Sequence, residues 1–195
     1  RDLDSSLVGS EMCIRDSMRV WRPCDAVETA LAWRDAIEHT TGPTSLVLSR
    51  QGLPRQPRDA SSREAIRRGG YVLKDAESPQ VILIATGSEV GLAVQTADEL
   101  SAEGIQVRVV SMPCRELFVA QDRDYRESVL PAAISARVAI EAGTPDGWHQ
   151  FVGPDGAVIG MTGYGESAPA TELFEKYGFT VQNVSAVIRG LIEDE

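Results

Sequence analysis

The sequence has few of the side chains from which metal sites and disulfides are built. Its 195 residues include only two histidines, His39 and His149, which lie far apart in the chain. The three cysteines, Cys13, Cys24 and Cys114, form neither a Cys-x-x-Cys pair nor a spacing typical of zinc sites. We therefore expect no structural metal. We also expect reduced thiols, and inert ones at Cys24 and Cys114, which have no recognisable activating partner.

Long apolar runs and excess positive charge are also lacking. The longest apolar stretch, residues 81–86, is far shorter than the roughly 20 residues of a membrane-spanning helix. Residues 1–17 lack the basic start and the apolar core of a secretory signal. The 19 Lys and Arg residues stand against 29 Asp and Glu residues, so the net charge is −10. This balance argues against a nucleic acid or a membrane as partner, and we expect a cytoplasmic protein.

Alternating strand and helix patterns fill the chain from residue 71 onward. YVLKD and QVILIATG predict two strands around a turn at Ser78-Pro79, antiparallel to each other. An irregular stretch, 115–134, predicts short helices. The pattern as a whole predicts an α/β fold, a three-layer αβα domain with a mostly parallel mixed sheet of about five strands, the first antiparallel. Further strands are predicted at 105–112, 136–143, 157–161 and 179–184, and helices at 89–104, 169–178 and 185–194.

A separate helix–strand unit precedes this domain. Asp25 followed by Glu28 resembles a capping box, Gly42 ends the helix, and residues 44–50 predict a short strand. One helix and one strand cannot form a complete domain, so we interpret them as the last unit of a second α/β domain. The segment that follows is predicted to be a solvated linker, and it contains five arginines: Arg55, Arg58, Arg63, Arg67 and Arg68.

Arg50 is the leading candidate for a binding residue. It lies at the carboxyl end of the apolar strand 44–50, within Leu48-Ser49-Arg50-Gln51. Ligands of open α/β sheets bind beyond such strand ends, and a guanidinium there can bind a phosphate or carboxylate through two parallel hydrogen bonds. A surface salt bridge is the alternative role.

Four other polar residues have structural interpretations. Ser88, in ATGSEV, and Ser167, in the glycine-rich segment 162–174, are each predicted to cap a helix. Ser167 lacks the surrounding glycines of a nucleophile elbow. Glu141 has no acid or base partner fixed beside it in sequence, and His149 stands alone near a tryptophan. We expect neither to be catalytic.

Eight segments in register give the chain a family resemblance from about residue 18 to its end. Together they resemble the C-terminal part of transketolase: MRVWRPCDAVETALAW, GPTSLVLSRQGLP, RGGYVLKD, ILIATGSEVGLAV, VRVVSMP, YRESVLP, ARVAIEAG and GMTGYGESAPATELFEKYGFT. The resemblance implies four parts. Residues 18–54 would end the pyrimidine-binding domain, 55–70 would be a linker and 71–195 the C-terminal domain, while 1–17 are interpreted below.

The resemblance also implies a function. Transketolases use thiamine diphosphate and a divalent metal (Mg or Ca) to transfer a two-carbon ketol unit from a ketose phosphate to an aldose phosphate in the pentose phosphate pathway. They act as homodimers. Arg50 matches the arginine that binds the sugar phosphate, whereas the family's catalytic, cofactor-binding and metal-binding residues have no counterpart in this chain. We therefore expect the chain alone to be inactive and to bind no cofactor.

Two other interpretations stay open at this point. The chain could be a stand-alone binding or interaction module with the transketolase C-terminal fold, or the C-terminal subunit of a split transketolase. We also expect residues 18–54 to dock poorly on the rest of the chain. Residues 1–17 are interpreted as a leader foreign to the protein, since EMCIRDS is similar to a translated sequencing-adapter end.

Overall fold

In the computed structural model of the chain, residues 17–193 are described, apart from the side chains of residues 60 and 61. The interpretation of residues 1–17 as a foreign leader falls almost wholly outside these residues. The described residues form a five-stranded sheet and a two-stranded sheet with helices around them. None of the described helices has the length and apolar character that crossing a membrane requires.

The five-stranded sheet is mixed and mostly parallel, as predicted. Its strands are β3 (Tyr71–Lys74), β4 (Val81–Ala85), β5 (Val107–Ser111), β6 (Arg137–Ile140) and β7 (Ala157–Ile159). They lie in the order β3-β5-β4-β6-β7, and only β3 runs antiparallel. β3 and β4 run antiparallel to each other, as predicted, but they are not neighbours in the sheet, because β3 pairs with β5 and β5 pairs in parallel with β4. β4 lies between the parallel strands β5 and β6, and all five of its residues are buried, as is usual for a strand with a near-continuous apolar sequence.

Helices cover both faces of this sheet and give the predicted three layers. Val81, Leu83 and Ala85 pack with two long helices on one face, while Ile82 and Ile84 pack with short helices on the other. The long helices are α3 (Glu89–Ala102) and α8 (Val181–Glu193). The short ones are α4 (Arg115–Val119), α5 (Arg123–Val129) and α6 (His149–Val152), and α7 (Ala170–Lys176) precedes α8. The alternation of side chains along β4 therefore separates two apolar clusters.

The strand predicted at 179–184 is wrong, since α8 already begins at Val181. Val184 and Ile188 are fully buried, and their spacing of four places both on one helix face. Phe179 precedes the helix and packs against Phe174 of α7 at a ring-centroid distance of 5.5 Å. A period of two over so short a stretch could not distinguish this helix start from a strand.

The two-stranded sheet belongs to the predicted helix–strand unit. Strand β1 (Arg19–Trp21) pairs in parallel with β2 (Thr44–Leu46), and α1 (Ala26–Glu38) connects them. The sequence pattern did not predict β1. The predicted strand, 44–50, is also longer than β2. Residues 47–50 are exposed, and of these only Val47 continues the ladder, its amide donating to the Trp21 carbonyl at 2.8 Å.

This unit contacts the larger domain directly, so the expectation of poor docking is not what the structure shows. The backbone of Arg22 forms hydrogen bonds to the loops that follow β4 and β5, at the carboxyl edge of the five-stranded sheet. Its amide donates to the Pro113 carbonyl at 2.8 Å, and its carbonyl accepts from the Gly87 amide at 3.0 Å. The amide of Val20 donates to Glu116 Oε2 at 3.2 Å. The two-stranded sheet is therefore joined to the same edge at which β4 and β5 end.

The segment predicted to be a solvated linker contains the helix α2 (Ala60–Ile66) and is partly buried. Ile66 is fully buried, and Gln56 is nearly so. Solvation is the wrong prediction for Arg58, whose side chain is 3% exposed. The segment is therefore anchored to the fold by a few buried side chains, while residues such as Arg55 and Arg63 remain exposed.

Candidate functional site

The loop that carries Arg50 lies on the surface beyond the end of β2. Ser49 stabilises the loop locally, since its hydroxyl donates to the Gln51 carbonyl at 3.1 Å. Arg50 is exposed, and within residues 17–193 its guanidinium has no hydrogen-bond or ion-pair partner. An arginine at a strand end without a counter-ion can bind an anionic ligand. The alternative role, a surface salt bridge, is absent from the described part of the chain.

The neighbours of Arg50 line two clefts. Leu48, Ser49 and Gln51 border both, one of about 270 Å³ and one of about 320 Å³. The smaller cleft continues to Arg22 and to Glu89, at the start of α3. Arg50 therefore lies in a loop that borders two clefts, although it does not itself line either of them.

Arg22, which lines the smaller cleft, belongs to a partly buried ion pair. Arg22 is paired with Glu141, which is 4% exposed and also accepts a hydrogen bond from Trp148 Nε1. Both oxygens of Glu141 are thereby occupied. This arrangement supports the structural interpretation of Glu141.

The start of α3 differs from its prediction. Ser88 occupies the cap position, but its side chain makes no capping hydrogen bond and instead donates to Glu89. Glu89 is fully buried, and its Oε2 atom has no hydrogen-bond partner within residues 17–193. Burial raises the pKa of Glu89, although Ser88 and Arg22 act in the opposite direction. The predicted side-chain cap by Ser88 is therefore wrong.

A buried polar network joins the helix–strand unit, the segment 55–70 and the five-stranded sheet. Glu28, on α1, is fully buried and lies at its centre. Glu28 Oε1 accepts from Ser111 Oγ at 2.7 Å and from Tyr71 Oη at 2.8 Å. Glu28 Oε2 accepts from the Cys24 amide at 2.7 Å. One carboxylate thus binds groups from β3, β5 and the start of its own helix.

Arg58 supplies the positive charge of this network. Its guanidinium is paired with Asp25 and lies 3.3 Å from Glu28 Oε1, while its Nε donates to Tyr71 Oη at 2.6 Å. The side chains of Asp25 and Glu28 are 1% and 0% exposed. Because buried charges are tolerated when they are paired and hydrogen-bonded, the two carboxylates and the guanidinium depend on one another.

Asp25 also has the helix-capping role that the sequence predicted. Its Oδ1 accepts from the amides of Val27 and Glu28 at 3.0 and 3.1 Å, and its Oδ2 accepts from the Gln56 amide at 3.0 Å. The glutamate of the box bonds the amide of Cys24, one residue before the cap. The capping motif was therefore visible in the sequence, whereas its connection to Arg58 was not.

Asp25 makes the stability of the chain depend on pH. Burial alone would raise the pKa of its carboxyl, but the hydrogen bonds from Arg58 and from the amides of Gln56 and Glu28 outweigh burial, and its pKa is lowered. A carboxyl with a lowered folded-state pKa stabilises the fold above its unfolded pKa of about 3.9, and this contribution disappears as the pH falls through the folded-state pKa.

We expect Asp25→Asn to lose about 1–3 kcal/mol of unfolding free energy at pH 7, because asparagine keeps the cap but not the charge. The difference from the unsubstituted chain should shrink toward pH 3. Urea unfolding at both pH values measures this. An equal difference at pH 3 and pH 7 would contradict the assigned role of Asp25.

The surroundings of the two described thiols support the prediction that they are inert. Cys24 and Cys114 are both free and buried. Burial raises the pKa of Cys114 to about 12, and burial, followed by the charge of Glu28, raises the pKa of Cys24 further. Neither thiol is therefore suited to nucleophilic chemistry.

We expect iodoacetamide at pH 8 to leave Cys24 and Cys114 unmodified in the folded chain and to alkylate both in urea. The physical reason is that both thiols are protonated and enclosed. Peptide mapping by mass spectrometry reports each cysteine separately. Similar alkylation in the two conditions would contradict this expectation.

The remaining candidate residues do not line the clefts beside the Arg50 loop. His149 is exposed at the start of α6. Ser167 does not cap α7, because the cap position is Pro169, so that prediction is wrong. Within residues 17–193, no three His, Cys, Asp or Glu side chains are grouped so that they could hold a metal ion.

The αβα domain, together with the helix–strand unit docked at its sheet edge, defines a recognised class. Residues 69–180 match the family model described as "Transketolase-like TK C-terminal domain". The chain belongs to this family. The curated relatives are transketolases, and Transketolase 2 of Vibrio parahaemolyticus is 57% identical over 177 residues. That match covers 90% of this chain but only 27% of the relative's length.

Solved structures agree with this assignment. Transketolase from Leishmania mexicana has a TM-score of 0.83 and 42% identity, covering 97% of this chain and 27% of its own. Transketolase of Pichia stipitis, in complex with sedoheptulose 7-phosphate, also has a TM-score of 0.83, with 35% identity over 90% of this chain and 25% of its own. A split-gene transketolase, described as an inactive β4 tetramer, has a TM-score of 0.72 and 30% identity over 90% of this chain and 58% of its own.

Proposed function

We propose that the chain supplies the C-terminal portion of a transketolase. The enzyme would transfer a two-carbon ketol unit from a ketose phosphate to an aldose phosphate, as a cytoplasmic homodimer in the pentose phosphate pathway. Membership of the transketolase-like family and 57% identity to a curated transketolase support this proposal. Within it, residues 18–54 would end the pyrimidine-binding domain, 55–70 would link the domains, and 71–195 would form the C-terminal domain.

The exposed guanidinium of Arg50 is the observation that carries the proposal for this chain. It lies beyond β2 with no counter-ion within residues 17–193, next to two clefts. A guanidinium in this position can bind a phosphate group through two parallel hydrogen bonds. The Pichia stipitis relative was solved with a sugar phosphate. We infer that Arg50 binds the phosphate of the sugar substrate and so positions it, while taking no part in bond making or breaking.

The proposed enzyme would use thiamine diphosphate and a divalent metal (Mg or Ca), whose binding residues we expect outside the described part of the chain. Among the described residues, no three His, Cys, Asp or Glu side chains are grouped so that they could hold the metal. We propose that other parts of the enzyme bind both groups and that the chain by itself binds neither. Isothermal titration with thiamine diphosphate and Mg²⁺ checks this, since saturable binding by the chain alone would contradict it.

A second candidate is the C-terminal subunit of a split transketolase. The likeness to the split-gene transketolase favours it, because this chain covers 58% of that protein, compared with 27% of the Vibrio relative. Both candidates assign the same role to Arg50. They differ in whether the remaining domains lie on the same polypeptide or on a partner.

A chimera tests the proposed function. Residues 18–195 replace the corresponding C-terminal segment of Transketolase 1 of Escherichia coli, which is 55% identical to this chain over 180 residues. We expect the chimera to catalyse ketol transfer within tenfold of the parent rate, an order-of-magnitude allowance for imperfect domain contacts. A chimera that folds and binds thiamine diphosphate but transfers no ketol unit would overturn the proposal.

A further inference from the structure

A third cleft, away from the Arg50 loop, is lined by three arginines. It has a volume of about 280 Å³ and lies among the short helices on one face of the five-stranded sheet. Arg123 and Arg126 belong to α5, and Arg137 begins β6. This concentration of positive charge is unexpected in a chain of net charge −10.

Arg137 is held rigidly at this cleft by backbone carbonyls. Its Nε donates to Ile134 at 2.9 Å, its Nη1 to Phe151 at 3.0 Å, and its Nη2 to Pro131 at 2.8 Å and to Leu130 at 3.3 Å. A guanidinium has five N–H donors, so one hydrogen on Nη1 is left over. The carbonyls fix the position of the guanidinium but do not neutralise its charge. Burial lowers the pKa of Arg137, although Glu127 acts in the opposite direction.

The cleft has an excess of cations that nearby carboxylates do not balance. Within the described part of the chain, Arg123, Arg126 and Arg137 form no ion pair. Glu127 is the carboxylate among the cleft residues, and its Oε1 already accepts from the Ala132 amide at 2.7 Å. Asp122 and Asp124 are close in sequence, but neither lines the cleft.

Apart from Gln150, the remaining residues that line the cleft are apolar. Phe118, Leu130 and Phe151 contribute buried side chains, and Val119 contributes an exposed one. A cleft of about 280 Å³ lies just below the range of roughly 300–1,000 Å³ for ligand pockets, so its ligand is small. Guanidinium groups bind phosphate oxygens through charge-assisted hydrogen bonds. We propose that this cleft binds a small phosphorylated metabolite, with its phosphate at the three arginines and its organic part on the aromatic floor.

Inorganic phosphate is the probe that tests this proposal on the full chain. The background is Arg50→Ala, so that binding at the Arg50 loop cannot contribute. Amide chemical shifts are followed by NMR at constant ionic strength, with chloride replaced by phosphate. We expect saturable shifts at Val119, Glu127 and Gln150. The double variant Arg123→Ala/Arg126→Ala should weaken binding at least tenfold.

A charge-matched control separates specific binding from a change in net charge. Arg55→Ala/Arg63→Ala, on the same background, removes two exposed arginines that do not line the cleft, and it should leave the phosphate Kd within twofold. The proposal is overturned if the Arg50→Ala chain shows no saturable shifts at the cleft. It is also overturned if the two double variants bind phosphate equally well. Neither result bears on ketol transfer, so the proposed function is tested separately.

Discussion

Arg50→Ala in the chimera is expected to raise the KM for a ketose phosphate about 10- to 100-fold and to leave kcat within a few-fold. A charged hydrogen-bond pair contributes roughly 1.5–3 kcal/mol, and each 1.4 kcal/mol corresponds to a tenfold change in binding. Because the phosphate does not react, the contact stabilises the bound substrate and the transition state alike, so its loss changes KM and not kcat. Steady-state kinetics with varied donor measures both constants.

Arg55→Ala is the matched control for this substitution. Arg55 is five residues further along, is exposed like Arg50, and lines neither of the clefts beside the Arg50 loop. Its removal changes the net charge equally but should alter KM less than twofold. If Arg50→Ala and Arg55→Ala have equal effects, general electrostatic attraction explains the result and the assigned phosphate contact is wrong.

The largest effect on stability is expected from Arg58→Met. This substitution removes the cation but keeps much of the side-chain volume, and it leaves the buried carboxylates of Asp25 and Glu28 without their counter-ion. Breaking a buried ion pair costs about 3–5 kcal/mol. That is a large part of the roughly 5–15 kcal/mol by which domains are stable. Urea unfolding at pH 7 measures the loss.

Arg55→Met is the corresponding control, because this exposed arginine lies in the same segment. We expect its effect to stay within about 0.5 kcal/mol, as for most surface substitutions. If Arg58→Met fails to fold, hydrogen exchange of Arg58→Lys provides the measurement. Faster exchange in α1 of the lysine variant would support the network, whereas a loss below 1 kcal/mol in Arg58→Met would contradict it.

The sequence predicted those elements whose signals are local. The buried strand β4, the capping residue Asp25 and the short helices α4 and α5 follow from composition and spacing within a few residues. Arg50 could be selected because its strand end is visible in the same stretch of sequence. The pattern at the start of α8 predicts a strand, because apolar residues at 179 and 181 are compatible with the period of a strand as well as with that of a helix.

Contacts between distant segments could not be predicted in this way. Glu28 reaches Tyr71 and Ser111, which are 43 and 83 residues away. Arg58 looked like one of five arginines in a solvated linker, and only the fold places it beside Asp25 and Glu28. For the same reason the sequence predicts the antiparallel direction of β3 but not its partner in the sheet, which is β5 and not the strand that follows it in the chain.

The phosphate dependence of the Arg50→Ala effect tests the central claim most directly. It compares kcat/KM of the unsubstituted chimera and of Arg50→Ala on a ketose phosphate and on the same ketose without phosphate. If Arg50 binds the phosphate, the substitution should lower kcat/KM about 10- to 100-fold for the phosphorylated donor. It should have almost no effect for the unphosphorylated one. An equal loss for both donors would contradict the assignment of Arg50 as the phosphate-binding residue.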